Sequence, residues 1–356
     1  MRTRTRIAAT AAAIAALVPS TTPAHAATAT AAVCGAVLTT DAYLRSDLTC
    51  SGPGLTLKGD VTLNLRGHRL RGSIGTAVTV IGQSAVTITK GRIEGWTIGV
   101  VAAPPDVEDQ VKSVRISEVT FRDNEVAVDL SSRPGLEVPF TVTRSRFVGN
   151  EEGVAGVFTG ATRVRRSKFV DNGRAVSVDS GSLTLTRTRL LGNGSAVECQ
   201  EAGCLLTKNH LTDNDTGISV RTTGATVTGN VLRRNGVGFS GFVALNSDLK
   251  RNRFVGNTTG VELTTSGATL TSNVFVKNKT GFTASEEAES FVAALKRNRF
   301  LRNRDGIYVT DGGVSLGANR AIANKRYGIY APGAVDLGGN RARRNGHSPQ
   351  CVGVVC

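Results

Sequence analysis

Three stretches decide the fold: NRFVGNTTGVEL (residues 252–263), NVFVKNKTGFTA (273–284) and NRFLRNRDGIYV (298–309). Each reads N-x-F-x-x-N-x-x-G, followed by an apolar residue. The asparagines that close this phrase are Asn124, Asn150, Asn172, Asn193, Asn214, Asn235, Asn257, Asn278, Asn303, Asn324 and Asn345. Their steps are 21 or 22 residues, apart from one of 26 and one of 25. A fixed period in this range is the mark of a solenoid, because no single unit can bury its apolar face alone. Three residues before the first nine of these asparagines stands Phe or Leu (Phe121, Phe147, Phe169, Leu190, Leu211, Leu232, Phe254, Phe275, Phe300). Three residues after the same nine stands Gly or Ala.

Short alternating runs fill the rest of each unit, such as LTLT at 183–186 and TLT at 269–271. Period two with Thr, Val and Leu reads as strand. Helical character is expected only at 285–294, SEEAESFVAA, inside one of the long steps. Each unit therefore holds about three short strands, and stacking unit on unit makes parallel sheets along the axis. The order L-x-x-L-x-L-x-x-N of leucine-rich repeats is absent, as is a six-residue sub-period. The expectation is an all-β, single-stranded parallel β-helix of about 21–22 residues per coil, with disulfide-closed caps.

The asparagine suits a left-handed turn and can hydrogen-bond from coil to coil. The glycine permits positive φ at the next bend. A second column five residues earlier holds Asn209, Asn230, Asn252, Asn273, Asn298, Asn319 and Asn340, preceded by Ser145, Ser167 and Thr188. Both columns read as scaffold, so function is sought in what varies between them.

The pattern resembles the right-handed parallel β-helix repeats of the pectin-lyase-like superfamily, over nearly the whole chain after its leader. Residues 47–73 are similar to the first coil of secreted bacterial members. Asn64-Leu65-Arg66-Gly67-His68 stands there in place of their D-L-N-G-H element. The end, RARRNGHSPQCVGVVC, is similar to their cysteine-closed cap. The resemblance implies a fold more than an activity, since lyases, hydrolases, epimerases, binding proteins and tailspikes share it.

Residues 1–26 combine Arg2, Arg4 and Arg6, an apolar stretch from Ile7 to Val18, and Ala24-His25-Ala26. That is a secretory signal with cleavage expected after Ala26, and no later stretch reaches transmembrane length. An N-terminal cap is expected over 27–60, the β-helix over 61–340 and a C-terminal cap over 341–356. An oxidising compartment suits six cysteines, and their spacing suggests the local pairs Cys34–Cys50, Cys199–Cys204 and Cys351–Cys356. There is no C-x-x-C pair and there are only four histidines, so no metal site and no cofactor are assigned.

The formal net charge is +15, and Arg outnumbers Lys by 33 to 10. A basic exported protein meets acidic polysaccharides or envelope polymers. Aromatic residues are only 5% of the chain. Nucleic acid is not the expected partner, because single-strand binding uses stacking platforms.

Two variable columns are basic. Four residues before the turn asparagine stand Arg146, Lys168, Arg189, His210 and Arg253, with Arg299, Arg320 and Arg341 further on. Six before it stand Arg144, Arg166, Arg187, Lys208 and Arg251, then Arg297. Stacked coils lie about 4.8 Å apart, and like charges at about 4 Å repel by around 1 kcal/mol even in water. Two explanations remain: a salt ladder with Glu151, Glu152, Asp171, Asp213 and Asp215 at the turn, or a track whose polyanion neutralises the stack. From Asn235 onward the turn itself becomes basic, through Arg233, Arg234, Lys277, Lys279, Arg302, Arg304, Lys325 and Arg326. Tyr308 and Tyr330 fall one coil apart on the outward side.

Calcium-site acid clusters, facing carboxylate pairs and an Asp-Pro-His-Asp stretch are all missing, so catalytic residues are unassigned. Asp129 and Asp179 are two coils apart, wide for a pair. Lyase or epimerase chemistry on a uronic-acid polymer would draw on Lys208, His210, Arg187 and Arg189. The leading expectation is a secreted binder of anionic polysaccharide. A degenerate lyase or epimerase and a ligand-free surface protein are the alternatives.

Overall fold

The computed structural model describes residues 29–102, 111–132, 138–243, 246–264, 267–285, 293–310 and 313–356. The expected secretory signal over residues 1–26 and most of the 285–294 stretch lie outside the described residues. Parallel strand pairing runs from Thr30–Ala31 to Cys351–Val352. One coil shows the plan. Ala161–Arg165 forms its first strand, Lys168–Val170 its second and Arg174–Asp179 its third. Each pairs in parallel with its counterpart in the coils before and after, giving three ladders. The third ladder stacks 15 strands. Near the start, Ala85–Glu94 and Ser113–Arg122 run through the first corner as single ten-residue strands, which joins the first two ladders into one sheet.

Alternation sets the interior. In the second strand only the middle residue points in, and there Phe121, Phe147 and Phe169 stack at centroid distances of 4.9 and 4.4 Å. Phe254, Phe275 and Phe300 repeat the stack at 4.8 and 4.5 Å. All six rings are fully buried. Burying a Phe side chain stabilises by about 1.5–3 kcal/mol, and here only neighbouring coils can supply that burial.

Both asparagine columns are hydrogen-bonded ladders inside the wall. Asn214 Nδ2 donates to Asn235 Oδ1 at 2.9 Å and to the Leu190 carbonyl at 3.3 Å. Asn214 Oδ1 accepts from the backbone N–H and Nδ2 of Asn193, both at 2.9 Å. The turn ladder starts at Trp96, whose N–H donates to Asn124 Oδ1, and ends on Gln350, whose Oε1 accepts from Asn345. The second ladder ends on Asp336, which accepts from Asn340 Nδ2 at 3.1 Å. Backbone N–H groups of Val355 and Gly338 also donate to Asp336 and hold its carboxyl below the usual carboxylate range.

Two details differ from the sequence reading. The asparagines are not the left-handed residues. The residue before each one is: Asp123, Gly149, Asp171, Gly192, Asp213, Arg234, Gly256, Lys277, Arg302, Ala323 and Arg344 all have φ between 51° and 67°. The asparagine must turn inward to join its ladder, so its predecessor takes the bend. The glycines three residues on do not have positive φ either. A Cβ on Gly238 would meet the Gly260 carbonyl and come within 2.8 Å of the Phe254 ring. Close approach of coils, not turn geometry, selects a small residue there.

All three expected disulfides are present. Cys34–Cys50 and Cys351–Cys356 sit at the two ends. Cys199–Cys204 ties a third strand to the first strand of the next coil, with both cysteines buried.

Candidate functional site

The basic columns fall at and beside the first corner of each coil. Arg144, Arg166, Arg187, Lys208, Arg251 and Arg297 are the corner residues themselves, left-handed with φ between 49° and 58°. Their coil-mates in this column include Gly229 and Gly339. Left-handed φ suits glycine best, so six cations hold a backbone position where glycine is easier.

Two residues on, the second strand begins, and its first residue faces out. Arg146 pairs in register with Lys168, Lys168 with Arg189 and Arg189 with His210. Val231 interrupts the run before Arg253, and Val274 before Arg299, after which Arg320 and Arg341 continue. The first strand adds cations that the repeat pattern did not single out: Arg163, Arg165, Lys250 and Lys296 are outward and exposed. Arg144, Arg165, Arg166 and Thr143 enclose a hollow of about 240 Å³.

The salt-ladder explanation fails on pairing. Among the described residues the one ion pair of the two columns is Arg144 with Glu118, at 3.4 Å. The turn acids look elsewhere. Glu152 pairs with Arg174, and Asp213 takes a two-pronged contact from Arg234 at 2.6 and 2.5 Å. That hydrogen bond holds the Asp213 carboxyl below its ordinary range and Arg234 above its own. Arg166, Arg187, Lys208, Arg146, Lys168, Arg189, Arg251 and Arg253 have no carboxylate partner among the described residues.

A second feature was not foreseen. The outward side of the third ladder carries a cleft of about 560 Å³. Ala155 and Gly156 keep its floor low, and Glu152, Arg174, Asp179, Glu198, Gln200 and Arg221 line it. Asp129 and Asp179 both reach it, two coils apart, but in different columns: Asp129 stacks on Ala155 and Ser177, and Asp179 lies two residues further along its strand. Glu198 stands on the strand next to Asp179 and accepts a long 3.5 Å hydrogen bond from Ser177 Oγ. The signal was present in the third strands: VAVD, VSVD, VECQ and ISVR alternate apolar-in with polar-out. Lys208 and His210 lie at the first corner and do not line this cleft. Among the described residues no group of three or more His, Cys, Asp or Glu is placed to hold a metal ion, and no helix is long and apolar enough to cross a membrane.

Residues 53–232 and 153–294 match the family model described as right handed beta helix region. The chain belongs to this right-handed β-helix family. A comparison with curated protein sequences returns no match. Among solved structures the β-helix is similar to the periplasmic alginate epimerase AlgG, at 12% identity and a TM-score of 0.57, over 78% of this chain and 77% of that one. It is also similar to the A-module of the Azotobacter vinelandii mannuronan C-5 epimerase AlgE6, at 13% identity and a TM-score of 0.39, over 89% and 91% of the chains. The Thermotoga maritima exopolygalacturonase follows at 9% identity and a TM-score of 0.36, over 78% and 82%. At these identities the likeness is one of fold, a right-handed β-helix.

Proposed function

We propose that this β-helix is an exported protein that binds an anionic polysaccharide along its basic corner. One observation carries the reading: cations stacked in register over successive coils, with a single counter-charge from the described residues, Glu118 on Arg144. Repulsion between such neighbours is around 1 kcal/mol per close pair even in water. A polymer with a carboxylate or sulfate on each sugar supplies the missing charges at a regular spacing. Steering by a basic face also raises the encounter rate with such a polymer. The test is co-sedimentation of the purified, disulfide-intact protein with polygalacturonate, alginate and chondroitin sulfate. Binding that weakens with salt and with Arg166→Ala plus Arg187→Ala supports the reading. Absence of binding to all three removes it.

The cleft on the third ladder favours a second reading, lyase or epimerase chemistry on a uronic-acid polymer. Arg174 or Arg221 would neutralise a sugar carboxylate, and the carboxylate of Asp179 or Glu198 would take the proton beside it. Growth of ultraviolet absorbance from an unsaturated product, abolished by Asp179→Asn or Glu198→Gln, would establish the lyase. Proton exchange at C5 of the sugar in heavy water, without that absorbance, would establish the epimerase.

A further inference from the structure

The outward column of the third ladder that bears Asp129, Ser177 and Glu198 continues through Ser219, Ser240, Glu262 and Thr283. It then changes character. Its next two positions are Tyr308 and Tyr330, paired in register with ring centroids 5.3 Å apart. Tyr327, from the preceding corner, joins them at 5.6 Å from Tyr308 and 4.9 Å from Tyr330. His347 meets Tyr327 edge-on at 4.6 Å. Three of the four tyrosines in the chain are gathered here.

A cation is fixed over the cluster. Arg326 lies 5.1 Å from the centre of the Tyr308 ring and 4.7 Å from that of Tyr327. Asp305, only 3% exposed, grips it through Nε at 2.6 Å and Nη2 at 2.8 Å. These two contacts leave Nη1 unused by Asp305. Arg304 and Lys325 stand on the same corner, with Lys279 one coil away, and among the described residues Asp305 is the one acid paired with Arg304 and Arg326.

Packing does not call for these rings. The coils here are already filled by Ile307 and Ile329, both buried, while the three tyrosines remain partly exposed. Every phenylalanine stack of the molecule is inside the solenoid, whereas this one is outside. Among the described residues no tyrosine hydroxyl of the cluster is hydrogen-bonded. A ring surface, free hydroxyls and a clamped guanidinium are together the recognition chemistry of a sugar that carries a carboxylate.

We propose that Tyr308, Tyr327, Tyr330 and Arg326 form a subsite for a uronate ring, separate from the basic corner. The sugar class rests on the polysaccharide reading above, but the site does not use the corner residues. The experiment is affinity electrophoresis of the whole protein in gels containing polygalacturonate or polyglutamate, the second offering carboxylates without sugar rings. Tyr308→Leu with Tyr330→Leu is expected to weaken polygalacturonate retardation about tenfold and to leave polyglutamate retardation unchanged. Tyr308→Phe with Tyr330→Phe keeps the rings and retains most of the affinity. Arg166→Ala with Arg187→Ala weakens both polymers. In the unaltered protein, trigalacturonate should shift the ring resonances of Tyr308, Tyr327 and Tyr330 and leave those of Tyr43 in place.

Unmoved rings, wild-type affinity in the leucine pair, or an equal loss on both polymers overturns the subsite while the basic corner stands. Loss in the leucine pair alone, with the arginine pair unaffected, upholds the subsite and overturns the corner. No retardation of the unaltered protein by either polymer, with unmoved rings, overturns both.

Discussion

Two ladders run the length of this β-helix with the same period and opposite character. The asparagine ladder in the wall is closed. Each amide donates to the next coil, accepts from the previous one, and the series ends on Gln350. The cationic ladder at the corner is open, since its members repeat in register yet meet almost no acid. Stacking identical residues therefore has two outcomes. Where the residue is both donor and acceptor, repetition satisfies it; where it is a charge, repetition leaves it without a partner from the fold itself.

The contrast is sharpest when each ladder is cut. Asn257→Leu strands the N–H of Asn235 inside the wall, leaves Asn235 Nδ2 with the Leu211 carbonyl alone, and removes the Nδ2 donor to the carbonyl of Leu232. A loss of about 3–5 kcal/mol is expected, read as a lower urea midpoint. Polyanion binding per folded molecule should be unchanged. Arg166→Ala with Arg187→Ala should do the reverse. Affinity for polygalacturonate at low salt falls about tenfold or more, while the urea midpoint moves by no more than about 0.5 kcal/mol per site. A midpoint drop as large as that of the asparagine variant would show that the corner cations hold the fold.

Arg187→Gly is a finer cut. Arg187 has φ of 53°, and Gly229 and Gly339 already serve in the same column. Removing the left-handed side chain is expected to change stability by less than about 1 kcal/mol and still to lower polyanion affinity. The smallest effect concerns the end of the second asparagine ladder. Asp336 has its pKa lowered by N–H donors from Val355 and Gly338. A lowered folded pKa means that its contribution is present above the unfolded carboxylate value, about 3.9, and is lost as pH falls through the folded value. Amide exchange at Val355 should therefore rise only under acid conditions below about pH 4. Asp336→Asn should show the raised exchange at neutral pH.

Much of this was legible in the chain. The interval between asparagines gave the solenoid, alternation gave the three strands, and the inward phenylalanines and the disulfide pairs followed. A repeat states which residues are stacked, because every column shares one period. It does not state where the ends of long side chains go. That is why Asp213 beside the basic columns read as a possible counter-charge, although its carboxylate turns to Arg234. The bend was assigned to the wrong neighbour for a similar reason. Asn and the residue before it recur together, and only the inward hydrogen bonds decide which one is left-handed. The cleft escaped because its acids, Glu152, Asp179 and Glu198, come from different columns and coils. Tyr327 escaped because it belongs to a corner and not to the outward strand position of Tyr308 and Tyr330.

The register between coils has a consequence for how such a molecule changes size. Residues 258–278 form one whole repeat of 21 residues. Since each coil touches only its neighbours, duplicating such a unit would leave every ladder in phase and lengthen the molecule by one rung, about 4.8 Å. The β-helix is in this sense a ruler graduated in repeats, and under the proposed polysaccharide binding the number of graduations that carry a cation would set how long a polymer segment it spans.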